Sequence, residues 1–142
     1  MKLLMNEIFV DTSGWAEFFV QTEPFHIEAK YLMQQWHTTG TQVITTNYIL
    51  LELIALLTSP LRIPRNQQVK VIETIKAASW VSIIHIDFSI HEEAWKLLTE
   101  RQDKTWSLVD CSSFIIMQQR HILEALTTDH HFEQAGFVRL LK

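Results

Sequence analysis

Hydrophobic residues fall into two patterns along the chain, short continuous runs and stripes spaced by three or four residues. The runs predict five strands, at residues 8–10, 43–44, 80–86, 125–128 and 137–141. The stripes predict helices at 12–20, 27–37 and 47–57, after Pro64, and at 89–101 and 107–119, with a helical turn at 130–134. Strands that alternate with helices indicate an α/β sandwich around a mainly parallel sheet with right-handed crossovers.

Capping and turn residues set the expected ends of these elements. Ser89 with Glu92 three residues later predicts a capping box at the start of the helix over 89–101. Pro64 is expected to be the first residue of its helix, and Gly136 to close the helical turn before the last strand. No repeat, linker or low-complexity stretch interrupts the pattern, so residues 1–142 are expected to form one domain.

Composition narrows the classes of protein that fit this pattern. With 47% hydrophobic and 20% charged residues, the 142-residue chain has the composition of a globular protein. The single cysteine excludes an internal disulfide and a zinc site built from paired cysteines. The three glycines are too far apart to form a glycine-rich phosphate loop.

Charge and the N-terminal segment add two further expectations. The formal charge of −4 argues against a protein that coats nucleic acid with a basic surface, but it allows a nucleic-acid enzyme that binds phosphate through metal ions. The apolar residues near the N-terminus are interrupted at Asn6 and Glu7, which does not fit a signal peptide or a membrane span. We therefore expect a cytoplasmic protein that does not contact a membrane.

Four acidic residues occupy positions where acids are unexpected. Asp11 and Asp129 each follow a predicted strand, and Asp110 lies at the start of the helix over 107–119. Each aspartate has an alternative structural interpretation, because Asp11 and Asp129 could be N-caps and Asp110 could complete a capping box with Ser107. Glu52 is harder to explain, since its neighbours three and four positions away are apolar or aromatic and an unpaired buried carboxylate costs several kcal/mol.

The topology is expected to bring these four carboxylates to the edge of the sheet where parallel strands end. Four carboxylates at one edge would repel each other unless a divalent cation compensated their charge. Ligands that are all oxygen favour Mg²⁺ or Mn²⁺ over zinc. A cation held in this way can also bind phosphate and water, which is the arrangement used for metal-assisted phosphodiester hydrolysis.

Four segments carry a resemblance to a known family. These are FVDTSGW, TTNYILLELIALL, WSLVDCSSFIIM and ALTTDHHFEQAGF, in that order along the chain. Together they resemble the PIN-domain ribonucleases, most closely the VapC-like toxins of toxin–antitoxin pairs. The resemblance implies a three-layer α/β/α sandwich with a five-stranded sheet, and Mg²⁺- or Mn²⁺-dependent cleavage of RNA.

The resemblance also implies roles for individual residues and partners. The family's acidic quartet falls on Asp11, Glu52, Asp110 and Asp129, which are thereby expected to be both catalytic residues and metal ligands. The family's small hydroxyl near the first acid falls on Ser13 or Thr12, which would position Asp11 or a metal-bound water. VapC-like proteins commonly form homodimers, and a small antitoxin protein blocks their acidic cleft.

Two alternatives for the function stay open at this point. One is a catalytically silent PIN-like protein that acts through binding alone. The other is a different Mg²⁺-dependent α/β phosphohydrolase, although Asp11-Thr12-Ser13 lacks the second acid of a DxDxT motif.

Aromatic and histidine residues near the motifs add lesser expectations. Trp15 and Trp106 are the tryptophans expected to line the cleft. His130 and His131 are expected to have surface or capping roles, because adjacent residues on a helical turn do not face one site.

Overall fold

A five-stranded parallel sheet forms the centre of the molecule. The structure is a computed structural model that describes residues 6–142. The strands are β1 (Glu7–Val10), β2 (Gln42–Thr46), β3 (Val81–Ile84), β4 (Glu124–Leu126) and β5 (Val138–Arg139). Their order across the sheet is β3-β2-β1-β4-β5, and all four neighbouring pairs run parallel. The five predicted strands are therefore confirmed.

Helices cover both faces of this sheet. They are α1 (Thr12–Phe19), α2 (His26–Thr39), α3 (Asn47–Thr58), α4 (Arg65–Ala77), α5 (Phe88–Glu100), α6 (Leu108–Arg120) and α7 (His131–Gln134). Right-handed crossovers place α1 to α4 on one face and α5 to α7 on the other. The contacts of α1 with α2 and α3, and of α6 with α5 and α7, agree with this arrangement. The expected three-layer α/β/α sandwich is confirmed.

Burial of the central strands on both faces explains their continuous apolar runs. Phe9 and Val10 of β1 and Ile44 of β2 are fully buried, and the helices contribute Leu53 and Phe114 from opposite layers. Each such side chain contributes roughly 1.5–3 kcal/mol relative to leaving it in water. Within residues 6–142, no helix has both the length and the apolar character needed to cross a membrane.

Two expectations about helix starts are wrong. The helix predicted from Ser89 begins at Phe88, and its N-cap is Asp87, whose carboxylate accepts the Ile90 N–H at 2.9 Å. An aspartate two residues upstream thus takes the capping role expected of Ser89. Pro64 is the N-cap of α4 rather than its first helical residue, because its ψ of 147° is extended.

The chain adds strands on one side of β1 first and on the other side later. This reversal determines where the candidate site lies. The chain leaves β1 for β2 on one side and later returns to β4 on the other, which opens a crevice at the carboxyl ends of the strands. Gly14 lets α1 pass close to the end of β4. A Cβ at this position would lie 2.0 Å from the carbonyl oxygen of Leu126, so a larger residue does not fit.

Candidate active site

The four predicted acids lie together in one cleft at this edge of the sheet. Asp11 directly follows β1, Glu52 lies on the second turn of α3, Asp110 on the first turn of α6, and Asp129 between β4 and α7. The cleft has a volume of about 230 Å³ and is lined by Asp11, Thr12, Ser13, Glu52, Leu56, Asp110 and Asp129. The sequence elements that carry the acids are far apart along the chain, so only the fold brings them together.

Asp11 is the most buried of the four acids, with 6% of its surface exposed. It caps α1, and its Oδ1 accepts hydrogen bonds from the Gly14 N–H at 2.9 Å and the Ser13 hydroxyl at 2.8 Å. Its Oδ2 accepts a hydrogen bond from the Thr127 hydroxyl at 2.6 Å. Burial raises the pKa of Asp11 to about 7, although these three donors act in the opposite direction. The cap and the predicted site residue are therefore the same group.

Glu52 reaches the cleft from α3. This helix begins after Thr46, whose hydroxyl caps it by accepting the Ile49 N–H at 3.1 Å. The Thr12 hydroxyl donates a hydrogen bond to Glu52 Oε1. Burial is the main cause that raises the pKa of Glu52, and the charges of two other acids of the cleft add to the rise. The helix exposes an apolar side chain beside Glu52, since Leu51 is 74% exposed.

Asp110 combines a capping role with a place in the cleft. Its Oδ2 accepts the Ser107 N–H at 3.0 Å, and its own N–H donates to Ser107 Oγ at 2.9 Å, which completes the capping box. The same Oδ2 lies 3.1 Å from Nδ1 of His131. Burial raises the pKa of Asp110, and the charge of Asp129 adds to the rise. The capping interpretation of this residue is therefore confirmed, and its carboxylate also lies in the cleft.

Asp129 is held by the segment that joins β4 to α7. Its backbone N–H donates to Thr127 Oγ1 at 3.0 Å, and its Oδ1 accepts the His131 N–H at 2.9 Å. His130, not Asp129, occupies the N-cap position of α7. Because Thr127 also donates to Asp11, a single hydroxyl links the first and the last acid of the cleft.

The hydroxyls predicted beside Asp11 are divided between two acids. Ser13 donates to Asp11, as the resemblance implies, and also accepts the Thr128 N–H at 2.9 Å. Thr12 contacts Glu52 instead of Asp11. The reason is the helical geometry of α1, which turns consecutive side chains in different directions.

The sequence interpretation missed Thr127 and His131. A surface or capping role was expected for both histidines. It holds for His130, whose side chain is 63% exposed. It is wrong for His131, whose side chain is 17% exposed and touches two acids. The signal for Thr127 is its place in the motif ALTTD, two residues before the acid. Adjacent histidines alone carry no signal that distinguishes the inward residue from the outward one.

The tryptophans near the motifs do not line the cleft. Trp15 is 1% exposed, and its indole N–H donates to the Thr45 hydroxyl at 3.1 Å inside the core. Trp106 is 7% exposed and packs edge-on against Phe114. Both are therefore core residues, Trp15 on α1 and Trp106 in the loop before α6.

The donor set of the cleft fits a divalent cation. Carboxylate and hydroxyl oxygens dominate it, and burial raises the pKa of three of the four acids. Among residues 6–142, histidines are the only basic side chains within ion-pair distance of these carboxylates. Asp129, His130 and His131 also place one possible ligand atom each within 4.8 Å of one another. The negative charge of the cleft therefore has no lysine or arginine to balance it in the described part of the chain.

Comparison with known proteins shows the family of this chain and one relative with a described activity. The PIN domain profile matches residues 8–138. The chain is 32% identical over 133 residues to the 23S rRNA-specific endonuclease VapC20 of Mycobacterium tuberculosis. The alignment covers 94% of this chain and 97% of VapC20. The crystal structure of VapC20, a sarcin-ricin loop cleaving toxin, superimposes with a TM-score of 0.82 at 31% identity, over 94% of this chain and 98% of that one.

Two more distant structures share the fold alone. PAE2754 from Pyrobaculum aerophilum has a TM-score of 0.64 at 14% identity, over 95% of this chain and 90% of its own. FitAcB from Neisseria gonorrhoeae has a TM-score of 0.62 at 13% identity, over 95% of this chain and 96% of its own. These similarities are too low in sequence to inform the chemistry of the cleft.

Proposed function

Because the chain belongs to the PIN-domain family and is VapC-like, we propose that it is an endoribonuclease that hydrolyses RNA phosphodiester bonds with Mg²⁺ or Mn²⁺. The observation that carries this proposal is the convergence of four acids, from four separate elements, in one small cleft. The similarity to a ribonuclease toxin over 94% of the chain supports the same activity.

In this proposal the four acids, Asp11, Glu52, Asp110 and Asp129, are catalytic residues that hold the cation. When bound, the cation would lower the pKa of a water molecule and stabilise the charge that develops on the phosphate. Three hydroxyls, those of Thr12, Ser13 and Thr127, donate to these acids and restrict their rotation. The carboxylates are thus oriented before the cation arrives, which reduces the reorganisation required for the reaction.

The size of the cleft indicates which part of the substrate enters it. Its volume of about 230 Å³ is equivalent to roughly seven or eight water molecules at about 30 Å³ each. That space suits a hydrated cation and one phosphate group, so we propose that recognition of the RNA bases occurs on the surface outside the cleft. The description of VapC20 as 23S rRNA-specific makes 23S ribosomal RNA the substrate to test first.

The proposed activity also defines partners and location. A ribonuclease toxin requires an inhibitor, and we propose a small antitoxin protein that covers the acidic cleft. Its substrate and its inhibitor would both be met in the cytoplasm, where we place the protein.

Exposed apolar side chains support a homodimer. Tyr48 Oη and His91 Nδ1 lie 2.7 Å apart and join the first turns of α3 and α5. Leu51 follows Tyr48 by one turn, while Phe88 and Trp95 lie one turn before and after His91. These three residues are 74%, 79% and 51% exposed, and we propose that a second copy of the chain covers them. Sedimentation of the wild type and of Phe88→Glu should show a dimer and a monomer respectively.

Cleavage of 23S ribosomal RNA in vitro tests the catalytic proposal. We expect cleavage by the wild type with Mn²⁺ or Mg²⁺, and loss of at least about 100-fold in Asp110→Asn, because a neutral amide is a weak ligand for a hard cation. Asp103→Asn is the matched control, since Asp103 is exposed and pairs with Arg101 at 3.0 Å. Equal cleavage by Asp110→Asn and the wild type would refute the proposed site.

A further inference from the structure

The imidazole of His131 bridges two acids that come from different elements. Its Nδ1 lies 3.1 Å from Asp110 Oδ2 and 3.3 Å from Asp129 Oδ1. We propose that His131 is a positioning residue that holds these two carboxylates as one pair for the divalent cation. This inference rests on the proposed metal-dependent function.

The hydrogen-bond partners of the ring define which nitrogen carries the proton. An ionised carboxylate only accepts hydrogen bonds, so Nδ1 must be the donor toward Asp110 Oδ2. The other ring nitrogen, Nε2, lies 3.2 Å from the hydroxyl of Thr105, which can donate to it. This arrangement fixes the tautomer that carries its hydrogen on Nδ1. In histidine sites generally, the hydrogen bond made by one ring nitrogen determines whether the other is a donor or an acceptor.

Backbone and packing contacts hold the imidazole in place. The His131 N–H donates to the same Asp129 oxygen, Oδ1, that Nδ1 approaches. The next residue, Phe132, is fully buried and packs edge-on against Phe114 of α6, with ring centroids 5.0 Å apart. Since α6 also carries Asp110, this contact holds the imidazole close to the Asp110 carboxylate.

The two acids need such a bridge because they repel each other. The charge of Asp129 is one of the causes that raise the pKa of Asp110, and the described residues provide no lysine or arginine within ion-pair distance of either. His131 offsets part of this repulsion with two donors, Nδ1–H toward Asp110 and the backbone N–H toward Asp129. The two carboxylates are therefore held on either side of one residue, where one cation could contact both.

The geometry favours a positioning role for His131 over direct ligation. A nitrogen that binds a cation must present a lone pair, whereas Nδ1 presents its hydrogen to Asp110. Groups that orient metal ligands in this way typically change metal affinity by 10–100-fold when they are removed. The expected consequence is weaker cation binding with little change in the rate once the cation is saturating.

The test is Mn²⁺ affinity of the full chain, measured by the EPR signal of free Mn²⁺ during titration. We expect His131→Ala and His131→Gln to bind Mn²⁺ about 10–100-fold more weakly than the wild type. His131→Asn should stay within about threefold of the wild type, because its amide nitrogen replaces Nδ1 as the donor to Asp110 and its backbone N–H still donates to Asp129. His121→Asn is the matched control, since His121 lies at the opposite end of α6 with a left-handed φ of 57° that Asn tolerates.

Cleavage kinetics provide a second readout. In His131→Gln we expect the Mn²⁺ concentration for half-maximal cleavage to rise by the same factor as the dissociation constant, while kcat at saturating Mn²⁺ stays within about threefold of the wild type. A purely structural defect would instead lower the thermal midpoint and reduce the amount of active protein, so thermal denaturation of each variant accompanies the titration.

Several results would overturn the inference. Unchanged Mn²⁺ affinity in both His131→Ala and His131→Gln would exclude a positioning role. A larger loss in His130→Ala would transfer the role to the outward histidine. Pulsed EPR that detects a directly bound imidazole nitrogen on Mn²⁺, lost in His131→Gln, would make His131 a ligand. Absence of Mn²⁺ binding by the wild type would instead refute the proposed metal-dependent function itself.

Discussion

Replacement of Asp11 by asparagine should stabilise the metal-free protein at alkaline pH and destabilise it at acidic pH. Asp11 is 6% exposed, and burial raises its pKa from the ordinary 3.8 to about 7. A carboxyl group whose folded-state pKa is raised favours the folded state below pH 4. That contribution is lost as the pH rises toward and through 7, because ionisation is then easier in the unfolded chain.

The magnitude follows from the two pKa values. Each pH unit between 3.8 and about 7 corresponds to about 1.4 kcal/mol, so ionised Asp11 destabilises the metal-free fold by about 4 kcal/mol above pH 8. Asparagine is neutral at every pH and removes this effect. Its carbonyl oxygen can still accept from Gly14 and Ser13, but its amide nitrogen cannot accept the Thr127 hydroxyl, which costs about 1 kcal/mol.

Asp11→Asn should therefore be about 3 kcal/mol more stable than the wild type at pH 8.5 and about 1 kcal/mol less stable at pH 4. For a chain of 142 residues, 3 kcal/mol corresponds to roughly 10 °C in thermal midpoint. The assay is thermal denaturation followed by circular dichroism in EDTA across this pH range. Asp103→Asn, an exposed aspartate paired with Arg101, is the control in which no such pH dependence is expected.

Addition of Mn²⁺ gives the second half of the experiment. A cation bound to ionised Asp11 should raise the midpoint of the wild type at pH 8.5, and should raise that of Asp11→Asn much less. Wild-type and Asp11→Asn midpoints that differ by the same amount at every pH would refute the reasoning. The burial of Asp11 would then not be the source of an ionisation penalty.

Three further predictions concern the groups that surround the acids. Gly14→Ala should lose more than about 3 kcal/mol of unfolding free energy in a denaturant titration, because its Cβ would meet the Leu126 carbonyl oxygen at 2.0 Å. Thr127→Val should lose about 2 kcal/mol of unfolding free energy in the same assay, since it removes the donor to Asp11 and the acceptor for the Asp129 N–H. Thr127→Ser keeps the hydroxyl and should stay close to the wild type. Thr12→Val should weaken Mn²⁺ binding, because it removes the hydroxyl that holds Glu52, and Thr12→Ser should restore the affinity. Calorimetric titrations that show equal affinities for the two variants would contradict that role.

The alternation of apolar runs and stripes was sufficient to predict the architecture. A parallel strand that is buried on both faces has to be apolar throughout, as in residues 8–10, and a helix that packs on the sheet needs an apolar stripe. These requirements act locally, so they are visible in the sequence. The ends of elements were less predictable, because several residues compete for one capping position, as Asp87 and Ser89 do at α5.

The acidic residues themselves were also apparent in the sequence, because carboxylates after buried strands or within apolar helices are chemically unfavourable without a partner. Which groups hold them was decided by the tertiary structure. Thr127 and His131 acquire their contacts only when β4 and α7 pack beside β1 and α6. His130 and His131 are identical in type and adjacent in sequence, and only the packing of Phe132 turns one of them toward the acids. The sequence alone therefore determined the sheet, the helices and the charged groups of the cleft, while the three-dimensional packing decided their hydrogen-bond partners, because those partners come from elements distant along the chain.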